Sequence, residues 1–229
     1  MTTESGSGTR ETASRSSSAA QNGERPLIAV LDYGIGNLRS AQKSLERHGA
    51  DARLTADPAV VRDAAGVILP GVGAFGACMD AVERTGVADL AHEVVEAEIP
   101  FLGICVGMQL LYEGSEESPG RKGLGILPGT VQLLPDGVKR PQMQWNVVDV
   151  VRPTALFDGL AGPIWMYFVH SYAAPMSDHV VATCDYGGPV VAAVEHGHVH
   201  AAQFHPEKSS TPGLAFMQNF VDLVQQGRA

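Results

Sequence analysis

A cysteine between two glycines is the first feature of this sequence that could do chemistry. Cys105 lies in the stretch FLGICVGMQLLYEGS, with Gly103 and Gly107 two residues away on either side. The stretch predicts a strand that ends at the cysteine and a helix that follows directly, as in a nucleophile elbow with cysteine in place of serine. Such a tight turn leaves no room for a Cβ atom at the flanking positions, and the helix N-terminus favours the reactive thiolate. The alternative is a small buried thiol within a strand.

A cysteine nucleophile needs a base, and the base needs a group that orients it. The stretch QFHPEKSS supplies both, because His205 follows a predicted strand and Glu207 comes two residues later across a proline that fixes the local backbone. Glu207 could hold the imidazole and stabilise its cation, as the acid of a catalytic triad does. The alternative is an unrelated histidine and glutamate on an exposed loop.

A third stretch, LPGVGAFGACM, follows the predicted strand GVIL. Its glycines let bare backbone approach a ligand, and a predicted helix begins directly after them. Backbone N–H groups placed in this way suit a developing oxyanion. Phosphate binding is disfavoured, because neither the Walker spacing nor G-x-G-x-x-G is present. An ordinary strand-to-helix turn is the alternative.

Composition limits the classes of function. The chain has 229 residues, 45% of them hydrophobic, and a formal net charge of −9, which indicates a globular protein and argues against a nucleic-acid surface. The odd number of cysteines, three, favours reduced thiols in a cytoplasmic protein. The Ser-, Thr- and Gly-rich residues 1–25 are predicted to form a disordered tail, and residues 26–229 a single domain. We find no stretch that could span a membrane.

The order of predicted elements gives the fold class. Short apolar strands such as LIAVL and FLGIC alternate with helices in the first half, including one capped by Asn37 and a longer one over about 77–98. The second half is rich in strands, with a hairpin turn at EHGH, and it closes with a helix. This order predicts an α/β fold: a single-domain, open, mainly parallel sheet with flanking helices, which the strand-rich second half extends.

Taken together, these stretches resemble the class I, triad-type glutamine amidotransferases. The resemblance is carried from about residue 27 to the C-terminus by DYGIGNLRS, LPGVGAFG, GICVGMQLLYEGSEESPG, GLGILPG, YFVHSY and QFHPEKS. DYGxGN and YFVHSY are similar to the glutaminase subunits of imidazole glycerol phosphate synthases, in histidine biosynthesis. A glutaminase subunit that serves another synthase is the alternative.

The resemblance implies that Cys105 attacks the side-chain amide of L-glutamine while His205 manages the protons and Glu207 orients it. Ammonia would pass to a separate cyclase subunit, a (β/α)₈ barrel, in a heterodimer, and no metal or organic cofactor is implied. The implied oxyanion donors are Val72, Gly73 and Val106. The implied substrate contacts are Gly71, Gln109, Glu117, His170, Ser171 and Tyr172. The implied partner contacts are Asn37, Gln142, Trp145, Asn146, Tyr167 and Lys208.

The sequence departs from the family pattern in KRPQMQWNVV, where the family usually has His and Gly at the positions of Gln142 and Gln144. Glutamine at position 144 removes easy access to positive φ and adds a side chain where the family meets its partner. We therefore expect any consequence of these changes in the coupling to the partner.

The sequence also allows other functions. His196, His198 and His200 alternate and could hold a metal on one face of a strand, but Gly197 in the predicted turn would break that alignment. A cysteine hydrolase of another kind and an inactive scaffolding relative are the remaining alternatives. Cys78 and Cys184 are interpreted as structural thiols, and Trp165 and Phe168 as packing residues.

Overall fold

A computed structural model describes residues 25–227 of the chain, so the predicted tail lies outside the described residues except for Arg25. The strands are β1 (Leu27–Leu31), β2 (Asp51–Thr55), β3 (Gly66–Gly71), β4 (Phe101–Cys105), β5 (Tyr112–Ser115), β6 (Leu127–Leu133), β7 (Gln142–Val150), β8 (Ile164–His170), β9 (Tyr172–Ala173), β10 (Val180–Asp185), β11 (Pro189–His196) and β12 (Val199–Ala202). The α-helices are α1 (Leu38–Arg47), α2 (Pro58–Arg62), α3 (Phe75–Arg84), α4 (Val87–Glu96), α5 (Val106–Leu110) and α6 (Ser210–Gln226).

Nine of these strands form one sheet in the order β2-β1-β3-β4-β12-β11-β10-β7-β8. The first five strands are parallel to one another, and the four remaining pairs, from β12-β11 to β7-β8, are antiparallel. Strand β12 lies directly beside β4, so the chain returns from its second half to the centre of the sheet. The prediction of an α/β fold whose strand-rich half extends the sheet is confirmed, and because that half adds antiparallel strands the whole sheet is mixed.

The central strands are buried along their whole length because helices cover both faces of the sheet. In β3 and β4 every residue is buried, which agrees with the continuous apolar runs expected of covered parallel strands. Helix α1 packs against α6, whereas α2, α3, α4 and α5 contact one another in a separate group. Right-handed crossovers place these two groups on opposite faces. No helix among residues 25–227 is long and apolar enough to cross a membrane.

The helix predicted over about 77–98 was wrong in its extent. Two helices, α3 and α4, occupy the region, and Thr85 and Gly86 separate them. Gly86 has φ of +75°, a conformation that a helix interior does not use and that glycine adopts without strain. The Thr85 hydroxyl also donates a hydrogen bond to the carbonyl oxygen of Ala81, at 2.8 Å.

The helix predicted after Cys105 is also shorter than the sequence indicated. Helix α5 has five residues, and the chain then enters β5, which pairs with β6 in a second, three-stranded sheet in the order β5-β6-β9. The N–H groups of Leu124 and Leu127 bond the carbonyls of Leu110 and Leu111, so the following segment takes the acceptors that a longer helix would use. Asn37 stands at the start of α1, but its side chain makes no capping hydrogen bond, contrary to the prediction.

Candidate active site

Cys105 is the last residue of β4, and α5 begins at the next residue. Its backbone has φ of +55° and ψ of −114°, a conformation that costs energy for any residue with a Cβ atom. The side chain is 3% exposed. The sharp turn predicted from the sequence is therefore present, and it directs the thiol from the end of the central strand.

The glycines around Cys105 are needed because β3, β4 and α5 approach one another very closely. A Cβ atom at Gly107 would lie 1.8 Å from the carbonyl oxygen of Leu69, and one at Gly103 would lie 3.0 Å from the carbonyl oxygen of Gly107. A Cβ atom at Gly71 would lie 2.6 Å from the Gly107 backbone nitrogen. Gly71 therefore serves the packing of β3 against α5, and it does not line the main cavity beside Cys105.

His205 is held by Glu207 as the sequence predicted. The Nδ1 atom of His205 lies 2.8 Å from Oε1 of Glu207, and both side chains are almost completely buried. Burial lowers the pKa of His205, but its interactions with Cys105 and with Glu207 raise it by more, to about 9. The Nε2 atom is buried without a conventional hydrogen-bond partner among the described residues. These interactions favour the protonated form of the imidazole, and Nε2 is the ring nitrogen that remains for chemistry.

The backbone of the same loop is tied to β8. The N–H of His205 bonds the carbonyl oxygen of Tyr167 at 2.9 Å. The Ser209 hydroxyl donates to the His205 carbonyl oxygen at 2.6 Å and accepts from the Tyr167 N–H at 2.9 Å. Two of these hydrogen bonds join the histidine loop to β8, and the third lies within the loop.

A cavity of about 270 Å³ opens beside the cysteine. It brings together most of the residues that the sequence singled out, and it also includes two residues that were not predicted, Pro141 and Val169. The predicted residues that line it are Cys105, His205, Val72, Gly73, Val106, Gln109, Glu117, His170, Ser171 and Tyr172. Glu207 lines a much smaller cavity behind the histidine, together with Gly71 and Asn37.

One wall of the cavity is organised around the carbonyl oxygen of Tyr172. It accepts hydrogen bonds from His170 Nδ1 at 2.8 Å and from Gln109 Nε2 at 2.9 Å. Burial lowers the pKa of His170 to about 4, against the opposite effect of this hydrogen bond. The imidazole is therefore neutral, with its proton on Nδ1, because a carbonyl oxygen can only accept. Its Nε2 atom is an acceptor without a partner among the described residues.

Glu117 also lines the cavity and is bound to the N-terminus of α3. Its Oε2 atom accepts the backbone N–H of Phe75 at 2.7 Å, and the neighbouring N–H of Gly76 bonds the Ser118 hydroxyl at 3.1 Å. The carboxylate is half-buried and lines the cavity, so its other oxygen can accept from a ligand.

The predicted oxyanion loop is anchored by two side chains that the sequence analysis did not assign to it. The Tyr33 hydroxyl donates to the carbonyl oxygen of Pro70 at 2.7 Å, and the Cys78 thiol donates to that of Val72 at 3.3 Å. Burial raises the pKa of the Cys78 thiol, so the sulfur keeps the proton that it donates. Gly73 has φ of +102° and lines the cavity.

Gln203 is a site residue that the sequence analysis missed. It is completely buried, its Nε2 atom lies 3.8 Å from Sγ of Cys105, and its Oε1 atom accepts a hydrogen bond from Gln109. The available signal was a polar residue in the apolar run HAAQF, two positions before His205. A buried side-chain amide next to a strand requires hydrogen-bond partners.

The predicted partner contacts differ in exposure. Trp145 and Tyr167 lie on the exposed face of β7 and β8, with ring centroids 6.1 Å apart, and Trp145 is 44% exposed. Asn37 and Lys208 are exposed as well, whereas the half-buried Asn146 donates its amide to the carbonyl oxygen of Asp185 at 2.9 Å.

Gln142 is fully buried, with Nε2 4.0 Å from the sulfur of Cys184, so its influence on a partner is indirect. Gln144 is exposed and lies in the regular strand β7, where this chain does not need positive φ. Phe168 is a packing residue as interpreted, but Trp165 is 48% exposed on the same face as Trp145, so its interpretation as a packing residue was wrong.

The three alternating histidines do not converge on one point. His196 packs against His179, with ring centroids 4.4 Å apart, whereas His200 is buried with Nδ1 3.3 Å from a carboxylate oxygen of Glu195. The turn at Gly197, with φ of +60°, separates them. Within the described part of the chain, no group of three or more His, Cys, Asp or Glu side chains could hold a metal ion.

Comparison with known proteins agrees with this geometry. The model of the class-I glutamine amidotransferase family matches residues 29–223. The imidazole glycerol phosphate synthase subunit HisH of Moorella thermoacetica is 47% identical over 200 residues, which cover 86% of this chain and 95% of that protein. The same subunit of Methanothermobacter thermautotrophicus is 46% identical over 201 residues, 87% of this chain and 100% of that protein.

Solved structures share the fold. The crystal structure of a glutamine amidotransferase has a TM-score of 0.68 at 23% identity and covers 86% of this chain and 98% of its own. The structure of PurLQS from Thermotoga maritima has a TM-score of 0.70 at 20% identity, with 87% and 99% covered. By its family match and its sequence relatives, the chain belongs to the class-I glutamine amidotransferases and, within them, to the family of the imidazole glycerol phosphate synthase subunit HisH.

Proposed function

We propose that this chain is the glutaminase subunit of an imidazole glycerol phosphate synthase and that it hydrolyses L-glutamine to glutamate and ammonia. The observation that carries the proposal is the placement of His205, whose Nδ1 is bound to Glu207 at 2.8 Å and whose ring shares a cavity with the Cys105 thiol. The relatives that are 42–47% identical over most of the chain support the assignment to this synthase.

The first half of the reaction uses the charge state of this pair. A protonated His205 beside the sulfur stabilises the thiolate of Cys105, which attacks the side-chain amide carbon of glutamine. The carbonyl oxygen becomes an oxyanion, and the backbone N–H groups of Val72, Gly73 and Val106 are its proposed donors. The C–N bond then breaks, His205 gives its proton to the leaving nitrogen, and ammonia and a glutamyl thioester remain.

The second half reverses the proton transfer. Neutral His205 takes a proton from water as the water oxygen attacks the thioester carbon, and the C–S bond breaks to release glutamate and restore the thiolate. Glu207 keeps the imidazole in one orientation through both steps and stabilises its cation, because the carboxylate is buried beside Nδ1. The steps need no metal or organic cofactor.

The remaining cavity residues fit the polar groups of an amino-acid substrate. Glu117 presents a carboxylate oxygen that can accept from the α-ammonium group, and the His170–Tyr172 segment presents backbone and imidazole groups that line the same cavity. Gln109 donates both of its amide hydrogens, one to Tyr172 and one to Gln203. We therefore assign Gln109 two roles: it supports the His170–Tyr172 segment, and its side-chain oxygen accepts from the substrate. Gly71 acts through packing and not through substrate contact.

We further propose that the ammonia passes to a separate cyclase subunit of the (β/α)₈-barrel type, in a cytoplasmic heterodimer of histidine biosynthesis. The exposed Trp145 and the half-buried Tyr167 beside it support a partner surface on β7 and β8, since aromatic residues at a surface are typical interface anchors. Asn37 and Lys208 are exposed at the same end of the sheet as the triad and are assigned to this surface.

The test is glutamate release from glutamine, measured for the chain alone and with the cyclase subunit and an analogue of its substrate. We expect turnover that the partner increases and that Cys105→Ala abolishes while leaving the complex intact. Absence of glutamate release from a complex shown to form would contradict the proposed activity. Release that the partner does not change would contradict the assignment to this synthase.

A further inference from the structure

We propose that Gln203 positions the sulfur of Cys105 for reaction, by donating a hydrogen bond to it and by linking it to the wall of the glutamine cavity. This inference rests on the proposed function, because it adds a positioning residue to the same reaction. Gln203 directly follows β12, the strand beside β4, and its side chain has no exposed surface. It is therefore available only to the interior of the site.

The contacts of Gln203 form an unbroken series. Its Nε2 atom lies 3.8 Å from Sγ of Cys105, and its Oε1 atom lies 3.0 Å from Nε2 of Gln109. Gln109 Nε2 also donates to the carbonyl oxygen of Tyr172 at 2.9 Å, and that oxygen accepts from His170 as well. The series runs from the nucleophile to the His170–Tyr172 segment without passing through solvent, since Gln109 is 3% exposed.

The direction of these hydrogen bonds follows from the one group whose role is fixed. A backbone carbonyl can only accept, so the atom of Gln109 that faces Tyr172 is its amide nitrogen. The same nitrogen faces Gln203, so Gln203 must present its oxygen there. The amide nitrogen of Gln203 is then left to face the sulfur. The neighbouring contacts therefore fix the orientation of the Gln203 amide, with its N–H group directed at the sulfur of Cys105.

An N–H donor at this place acts on the sulfur in two ways. It restricts the rotation of the Cys105 side chain, whose backbone is already held at φ of +55°. It also stabilises negative charge on the sulfur, because hydrogen bonds to ionised acceptors are about twice as strong as neutral ones. Negative charge develops on the sulfur as the C–S bond of the thioester breaks, so this donor is strengthened in that transition state and its effect falls on kcat more than on KM.

Two substitutions separate the two ends of Gln203. In Gln203→Glu the carboxylate still accepts from Gln109, but an oxygen replaces the donor that faces the sulfur. In Gln203→Met both polar ends are removed while the volume is kept. Gln109→Met is a companion variant, because it removes the contact that orients the Gln203 amide and leaves the Gln203 side chain in place beside Cys105.

The first measurement is the rate of alkylation of Cys105 by iodoacetamide in the full-length chain without glutamine, followed by mass spectrometry of the Cys105 peptide. Because it needs no turnover, it tests the contact even if the glutaminase function itself is refuted. We expect Gln203→Glu to slow alkylation by about 10-fold or more and Gln203→Met by about 3-fold or more. We expect Gln109→Met to have a smaller effect than Gln203→Met, because the donor remains but its orientation is no longer fixed.

Glutaminase kinetics of the complex give the second readout. We expect Gln203→Glu to lower kcat by about 10-fold or more while KM changes by less than about 3-fold, and Gln109→Met to raise KM. A Gln203→Met variant with wild-type alkylation and wild-type kcat would overturn the proposal, because methionine offers the sulfur no hydrogen-bond donor. So would a variant in which only KM changes, because Gln203 would then serve the substrate and not the sulfur.

Folding of each variant is checked by circular dichroism and thermal unfolding. If both Gln203 variants lose the fold, the wild type still decides the question by nuclear magnetic resonance. The side-chain amide of Gln203, identified by its through-space contact with Cys105, must shift when the sulfur is alkylated. An amide resonance that does not change on alkylation would overturn the proposal.

Discussion

The carbonyl oxygen of Leu69 lies 1.8 Å from the position that a Cβ atom on Gly107 would occupy. Real Cβ atoms do not approach an oxygen so closely, and the oxygen belongs to the backbone of a buried central strand. Neither β3 nor α5 can therefore move aside without disturbing the turn that holds Cys105. Gly107, two residues after the nucleophile, is therefore required by the packing of β3 against α5 as well as by the turn at Cys105.

We predict that Gly107→Ala lowers the free energy of unfolding by roughly 3 kcal/mol or more and abolishes glutamate release, because the added methyl group must displace a buried strand. The measurement is urea unfolding followed by circular dichroism. Gly227→Ala is the control, since a Cβ atom there meets its nearest neighbour at 3.7 Å, an ordinary contact. Equal stability of the two variants would contradict the close approach.

A second prediction concerns pH. The pKa of His205 is raised from the usual 6.5 to about 9, so the folded state binds more protons than the unfolded state between these values. Stability from this group is fully present below pH 6.5 and is lost as the pH rises through about 9. Glu207→Gln removes one of the charges that raise the pKa of His205. The free energy of unfolding of the variant should therefore fall less steeply as the pH rises.

The difference is measured by urea unfolding of wild type and Glu207→Gln at pH 6.5, 7.5 and 9. We expect the wild type to be more stable than the variant at the lowest pH by roughly 1–3 kcal/mol, with the gap narrowing at the highest. A gap that is constant across the three values would show that Glu207 does not act on the proton of His205.

Much of the site could be predicted because its chemistry is local in sequence. Cys105 and its glycines lie within five residues, and His205 and Glu207 are two apart, so a strand followed by a turn is enough to place each set. The long apolar runs of β3 and β4 likewise identify buried strands without tertiary information.

The rest depends on contacts between distant parts of the chain. Gln203 reaches Cys105 only because β12 lies beside β4 in a register that pairs Ala202 with Ile104. The end of α5 is set by later residues that bond the carbonyls of Leu110 and Leu111, so helical periodicity alone extends the helix too far. The break between α3 and α4 depends on one glycine with positive φ, Gly86. A single glycine does not interrupt a helical pattern of apolar residues, so the sequence does not reveal this break.

A third prediction concerns the anchor of the oxyanion loop. Cys78 is buried in α3 and its thiol donates to the carbonyl oxygen of Val72 at 3.3 Å. Loss of this donor in Cys78→Ala frees the peptide between Val72 and Gly73 to rotate, so we expect kcat of the complex to fall by about 3- to 10-fold with little change in KM. Cys78→Ser keeps a donor at the same place and should retain more than about half of the wild-type kcat. Equal kcat values for the two variants would refute the anchor.

The last prediction tests the partner surface through Trp145. Its ring is 44% exposed and packs edge-on against Tyr167, whose carbonyl oxygen accepts the N–H of His205. A partner that covers this pair would bury aromatic area directly connected to the histidine loop. We expect Trp145→Ala to weaken binding of the cyclase subunit by about 30-fold or more, as loss of an aromatic interface anchor does, while the free energy of unfolding changes by less than about 1 kcal/mol. Isothermal titration calorimetry measures the Kd.

Met176→Ala is the control, because that side chain is 59% exposed but lies in the loop between β9 and β10, outside the assigned surface. Wild-type affinity of Trp145→Ala, or equal losses in the two variants, would place the partner on another face of the molecule.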